Sequence, residues 1–162
     1  MPSATAPSQL RINYRGSPAV QEGDPPLGRG PRAGDRLPDA RIVDRGRECW
    51  LQEALTTPTY HLLLCGPAEC WNSDQLAALG KRYADLVAVH RLARGTAAGA
   101  LHDARGEALA RLGVEQAAQY LVRPDGHIGY RSGGTDLRGL ERYLARWFPG
   151  VGTYGAASAD RT

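Results

Sequence analysis

LLLCGPAECW, residues 62–71, is the stretch on which the reading of this chain turns. The apolar run that begins at Tyr60 has the length of a strand, and it ends in Cys65-Gly66-Pro67. That opening belongs to dithiol motifs of the form C-G-P-C, in which a buried strand hands over to a helix and the two sulfurs close a small ring. Here Ala68 occupies the place of the second cysteine, and the next thiol is Cys70. A reactive thiol in such a turn is stabilised as thiolate by the free amides and the dipole of the helix N-terminus. Cys70 stands near the expected helix start, whereas Cys65 ends the strand and should be buried. The C-x4-C spacing permits a disulfide without requiring one.

Working outward, Asn72 or Ser73 can cap a helix running to about Tyr83, with Leu76 and Leu79 on one face. LVAVHRL (86–92) is a second strand. Asp103 can cap a short helix carrying Leu109 and Leu112, which Gly113 stops. Tyr120–Val122 and Ile128–Tyr130 flank Arg123-Pro124-Asp125-Gly126, a turn suited to antiparallel strands. Thr135 or Asp136 then caps a helix with Leu137, Leu140, Tyr143, Leu144 and Trp147, ended by Pro149-Gly150. Upstream of Tyr60, a short strand is expected around Ile42 and a helical turn at WLQEAL (50–55). Leu10, Ile12 and Tyr14 alternate as in a short strand, and GDPPLGRGPRAG (23–34) reads as a linker.

Strand, helix, strand, helix, strand, strand, helix is the order of the thioredoxin fold. The expected architecture is therefore α/β, a β-α-β-α-β-β-α core whose mixed sheet carries helices on both faces, preceded by an N-terminal extension. The first two core strands should be parallel with a right-handed crossover, and the last two a hairpin. We divide the chain into an N-terminal tail, strand and linker (1–34), a thioredoxin-like domain (35–150) and a C-terminal tail (151–162). Thioredoxins also place a cis-proline before the third core strand, opposite the thiols. In this chain Ala117 and Ala118 stand there, so both halves of the dithiol site are degraded. On that reading, replacing Cys65 and Cys70 together should leave fold and function nearly intact.

Composition narrows the function classes. The formal charge is +3, with Lys81 the single lysine, and the arginines are scattered rather than arranged as a basic stripe interleaved with aromatics, which argues against nucleic acid. No run approaches the ~18 apolar residues of a membrane span, and the N-terminus lacks the pattern of a signal peptide, so cytoplasmic location is expected. His61, His90, His102 and His127 fall on separate elements without ligand spacing, and no metal site is expected. No G-x-G-x-x-G follows a strand near the start, so no cofactor site is expected in this chain.

INYRGSP (12–18), AGDRLPDA (33–40), YHLLLC (60–65), HDARGEALARLGV (102–114) and LVRPDGHIGYR (121–131), followed by the Leu137–Leu144 helix, carry a resemblance. The chain resembles, from about Leu10 to Phe148, the C-terminal thioredoxin-like domain of FAD-dependent aromatic-ring monooxygenases, the group of the phenol, polyketide and rifampicin hydroxylases. That resemblance implies FAD and NAD(P)H for the full-length family, held by a larger flavin-binding portion that would be this domain's partner, in the same gene or as a separate subunit. It also implies a structural role in packing or in subunit contacts, a homodimer among them, and transfers no catalytic residue. Tyr14, Trp147 and Phe148 are the candidate docking surface. A second class stays open. Gly34-Asp35-Arg36-Leu37-Pro38-Asp39 resembles the G-x-x-x-P-D-F opening of peroxiredoxins, with Ala40 in place of the aromatic, and such a free-standing thiol protein would use Cys70.

Overall fold

The computed structural model describes residues 20–96 and 98–151; the strand expected at Leu10, Ile12 and Tyr14, and all of the C-terminal tail after Val151, lie outside them. In chain order the elements are β1 (Gln21–Glu22), β2 (Arg41–Asp44), β3 (Arg47–Trp50), α1 (Leu51–Ala54), β4 (Tyr60–Cys65), a 3-10 turn (Ala68–Cys70), α2 (Ser73–Arg82), β5 (Val87–Ala93), β6 (Leu101–His102), α3 (Glu107–Arg111), β7 (Ala118–Val122), β8 (Ile128–Gly133) and α4 (Arg138–Trp147). The strands form one sheet in the order β1-β8-β7-β4-β5-β6-β2-β3. β4 pairs parallel with β5 through the α2 crossover, and β7 runs antiparallel to both β4 and β8. These contacts reproduce the expected thioredoxin-like core.

Alternation along the central strands builds two cores, because successive side chains of a strand point to opposite faces. Leu63, Cys65, Tyr120 and Val122 join Leu51 of α1 and Leu109 of α3 on one face. Leu62, Leu64 and Leu121 join Leu76 and Leu79 of α2 and Leu140 and Leu144 of α4 on the other. β4 is thus buried on both sides, which is why Tyr60–Cys65 reads as a continuous apolar run rather than an alternating one.

The helix ends follow local chemistry. Asn72 caps α2, its side-chain oxygen accepting from the Gln75 amide at 2.9 Å. The buried Asp103 carboxylate accepts from the amides of Ala108 (3.3 Å) and Leu109 (2.8 Å) and so ties down the start of α3. Gly113 follows α3 at φ +69°, the left-handed conformation that ends helices.

Three elements escape the sequence pattern. β3 is RECW, without apolar alternation, yet it pairs with β2 across a two-residue turn in which Arg45 (φ 54°) and Gly46 (φ 80°) are both left-handed. That is the backbone a tight hairpin requires, carried here by an Arg-Gly pair instead of Asn-Gly. β1 and β6 are two-residue strands, recruited by their neighbours rather than by their own side chains.

The Gly/Pro-rich stretch 23–34, read in the sequence as a linker, is fastened along the sheet. Gly133 donates to the Pro25 carbonyl at 2.7 Å and Gly34 to that of Ile128 at 2.7 Å. Arg131, 4% exposed on β8, reaches across to it: its Nε donates to both carboxylate oxygens of Glu22 (2.7 and 2.9 Å), Nη1 to the Arg29 carbonyl (2.9 Å) and Nη2 to that of Leu27 (3.1 Å). Backbone groups supply almost every contact, and periodicity of side chains cannot report them.

Candidate functional site

A cleft of about 890 Å³ opens at the C-terminal ends of the parallel strands β4 and β5, where sheets of this kind usually bind ligands. The loop Gly66–Cys70 forms one wall, Arg94–Thr96 the floor beyond β5, and Leu109, Ala110 and Val114–Gln116 the opposite wall. The two sequence-predicted thiols separate at this point. Cys70 is exposed in the cleft, whereas Cys65 is fully buried within the core, and both are free. Burial pushes the Cys65 thiol well above its ordinary range, with the Asp103 carboxylate adding to the shift, so this sulfur is held as a neutral thiol.

The surroundings of Cys70 offer little to a thiolate. The Cys70 amide donates to the Pro67 carbonyl at 3.1 Å and the Trp71 amide to that of Ala68 at 3.3 Å, so these two donors are taken within the turn. Helix α2 begins three residues later, and Asn72 already caps its first turn. Just before β7, the Ala117 carbonyl accepts from the Gly134 amide at 2.9 Å. Among the described residues no group of three metal-ligating side chains comes together. No helix among them is long and apolar enough to cross a membrane.

The remaining candidates distribute as follows. Tyr14 lies outside the described residues. Trp147 and Phe148, at the end of α4, are partly buried against the core of that face, with Phe148 meeting Tyr60 edge-on at 5.2 Å between centroids. The exposed large apolar side chains among the described residues are Trp50 (39%) and Val89 (37%), neither of them singled out by the sequence. Register places both on one face of the sheet: Val89 is level with Leu62, Ala93 with His102, His102 with Val43, and Arg41 with Trp50. Helices α2 and α4 pack on the β4, β7 and β8 part of that face. Arg41 stacks its guanidinium 4.7 Å from the Trp50 ring centre and pairs with Glu48 at 2.8 Å, keeping the indole in place. The structure also joins two histidines that the sequence kept apart, His61 and His90.

Residues 30–150 match the aromatic-ring hydroxylase C-terminal family. The chain belongs to that family. Among solved structures it is similar to the flavin-dependent monooxygenase PieE, determined in complex with FAD and substrate (25% identity, TM-score 0.62, covering 83% of this chain and 24% of that one). It is similar also to aklavinone-11 hydroxylase, determined with FAD and aklavinone (27% identity, TM-score 0.61, 83% of this chain and 26% of that one). The chain therefore spans about a quarter of the length of these hydroxylases. A thiol peroxidase from Chromobacterium violaceum matches at 18% identity and TM-score 0.58 over 79% of this chain and 96% of the other, which shows the shared thioredoxin-like fold alone. No curated protein matches the sequence.

Proposed function

We propose that this family member is a non-catalytic auxiliary domain that packs against the flavin-binding portion of an FAD-dependent aromatic hydroxylase. The observation that carries the reading is the family match over residues 30–150. The cleft supports it from the side of chemistry. Its one exposed thiol has no cysteine partner, and the Cys70 and Trp71 amides beside it are already engaged. Any FAD and NAD(P)H belong, on this reading, to the flavin-binding portion.

The docking surface we assign to that partner is the sheet face bearing Trp50 and Val89, beside α2 and α4. An exposed indole held rigid by a stacked arginine loses little side-chain entropy on binding, as interface anchors commonly do. Trp147 and Phe148 would border this contact rather than anchor it. The test is co-expression with the flavin monooxygenase portion encoded upstream in frame or in an adjacent gene, followed by size-exclusion chromatography and hydroxylation assays with and without this chain. Co-elution that Trp50→Asp and Val89→Asp abolish is the expected result. Independent elution with unchanged activity and stability of the flavoprotein overturns the auxiliary role, and peroxide consumption lost in Cys70→Ser would establish the thiol-protein alternative in its place.

A further inference from the structure

β5 is seven residues long, but β6 pairs with its end alone, Leu92 level with Leu101 and Ala93 with His102. On its other side, the parallel ladder to β4 uses every second residue of β5: the Tyr60 amide donates to the Leu86 carbonyl (3.0 Å) and that of Gly66 to the Leu92 carbonyl (2.9 Å). The odd-numbered residues therefore turn their backbone groups toward the β6 side, where the Ala93 carbonyl accepts from the Asp103 amide at 2.8 Å. The Val87 amide is taken by the Tyr83 carbonyl, also at 2.8 Å. That leaves the Val87 carbonyl, the Val89 amide and carbonyl and the Arg91 amide facing sideways, without a backbone partner among the described residues. Inside an eight-stranded sheet this is a length of open strand edge. It borders a cleft of about 600 Å³ whose other walls are Val43–Gly46, at the β2–β3 turn, and Ala98–Ala100, ahead of β6.

We propose that this open edge of β5 receives one extended acidic segment of the flavin-binding portion, added as a short strand between β5 and the β2–β3 hairpin. The inference rests on the auxiliary role above and names the atoms that make the contact. At ~3.3 Å per residue, about four residues of extended chain run the length of Val87–Arg91, and a strand centred on Val89 meets all of the free groups. Val89, exposed at the middle of this edge, offers the incoming strand an apolar neighbour. Charge selects the segment. Arg45 in the cleft wall and Arg91, two residues beyond Val89 on the same side of β5, have no ion-pair partner among the described residues, while the lining holds a single carboxylate, Asp44. An acidic side chain placed beside Arg91 gains a partner that a neutral or basic one does not. The apolar-alternating stretch of this chain at Leu10, Ile12 and Tyr14 carries Arg11 and Arg15 and no acid, so its charge has the wrong sign. A second copy fits poorly for a different reason: its own β5 edge lies in the same recess, between the β2–β3 turn and Ala98–Ala100, and two recessed edges do not meet.

The experiment is amide hydrogen exchange on the whole chain, alone and in complex with the co-expressed flavin monooxygenase portion. In the free chain the Ala88, His90 and Leu92 amides, which bond to β4, should be protected, and those of Val89 and Arg91 should exchange roughly tenfold or more faster. In the complex, protection at Val89 and Arg91 should rise by about tenfold or more while Ala88 and His90 hold steady. Val89→Pro removes the outward amide and leaves the β4 ladder intact, and Arg91→Glu reverses the charge with the backbone untouched; each should weaken the complex by about tenfold or more. A complex that forms with Val89 and Arg91 still unprotected, or that tolerates both substitutions, overturns the edge contact and leaves the auxiliary role standing. Absence of any complex overturns the auxiliary role and with it the source of the segment. A short peptide of alternating Glu and Val, titrated against the chain alone, reads the edge without that partner: amide NMR shifts at Val89 and Arg91 that its Lys-Val counterpart and Val89→Pro do not give support the site, and no shift, or equal shifts with the Lys-Val peptide, overturns it.

Discussion

Arg131→Met tests the claim that a single buried guanidinium fastens residues 20–34 to the sheet. The substitution keeps most of the side-chain volume and deletes four hydrogen bonds, two to Glu22 and two to the carbonyls of Leu27 and Arg29. Breaking a buried ion pair by removing one partner typically costs about 3–5 kcal/mol. The Glu22 side chain is 40% exposed and also accepts from the Ala33 amide, so water and that amide recover part of the loss. We therefore expect the lower end, about 3 kcal/mol, or a fall in Tm of roughly 6–12 °C for a domain of this size. Arg131→Lys keeps the charge but loses the fork, and about 1–2 kcal/mol of destabilisation should remain. Urea denaturation followed by circular dichroism measures these values, and a cycle with Glu22→Gln isolates the pair, for which coupling of about 1–2 kcal/mol is expected. The double replacement of Glu22 and Arg131 by Met should be milder than Arg131→Met alone, because it leaves no stranded carboxylate. A cost below about 1 kcal/mol for Arg131→Met, or strict additivity in the cycle, would refute the reasoning.

Gly126, at φ +86° in the β7–β8 turn, would bring a Cβ no closer than 3.6 Å to the Arg36 guanidinium, an ordinary contact, so Gly126→Val should cost about 1–3 kcal/mol chiefly through backbone strain. Gly113→Ala should cost more in the same melts, because at φ +69° its Cβ would also stand 2.5 Å from the Arg29 carbonyl carbon. Cys70→Ser should leave stability within about 0.5 kcal/mol. Cys65→Ser, by contrast, sets a hydroxyl among Leu63, Leu92 and Tyr120 and should cost about 1–3 kcal/mol, which revises the expectation that both thiols are dispensable to the fold. The His90 pKa is lower folded than unfolded, so its contribution to stability should be complete above about pH 6.5 and lost as pH falls toward 4, a trend that His90→Gln should remove from the urea midpoints. The purified chain should show no flavin absorbance, and a stoichiometric flavin band would sink the assignment of the cofactor to the partner portion.

The sequence by itself determined the core. Tyr60–Cys65, the Asn72 cap, the Gly113 helix stop and the Pro124-Asp125-Gly126 turn all act over a few residues, through burial, capping and turn geometry, and each appears where its residues place it, whereas Gly106 stands at the N-cap expected of Asp103, which reaches instead to the Ala108 and Leu109 amides inside the helix. Cys65 was legible as buried because an apolar run of strand length carries its last residue inside, and the missing second cysteine was legible because Ala68 stands in its place. Tertiary structure alone decided the rest. β3 exists because β2 offers it a partner, and the strap of residues 23–34 lies along the sheet because an arginine about a hundred positions away holds its carbonyls. Trp50 and Val89 share one face of the sheet only through strand register, and His61 finds His90 across 29 positions of chain. Local patterns record what a residue needs from its immediate neighbours. Which distant donor, ring or strand edge arrives to meet it is settled by the packing of the whole sheet.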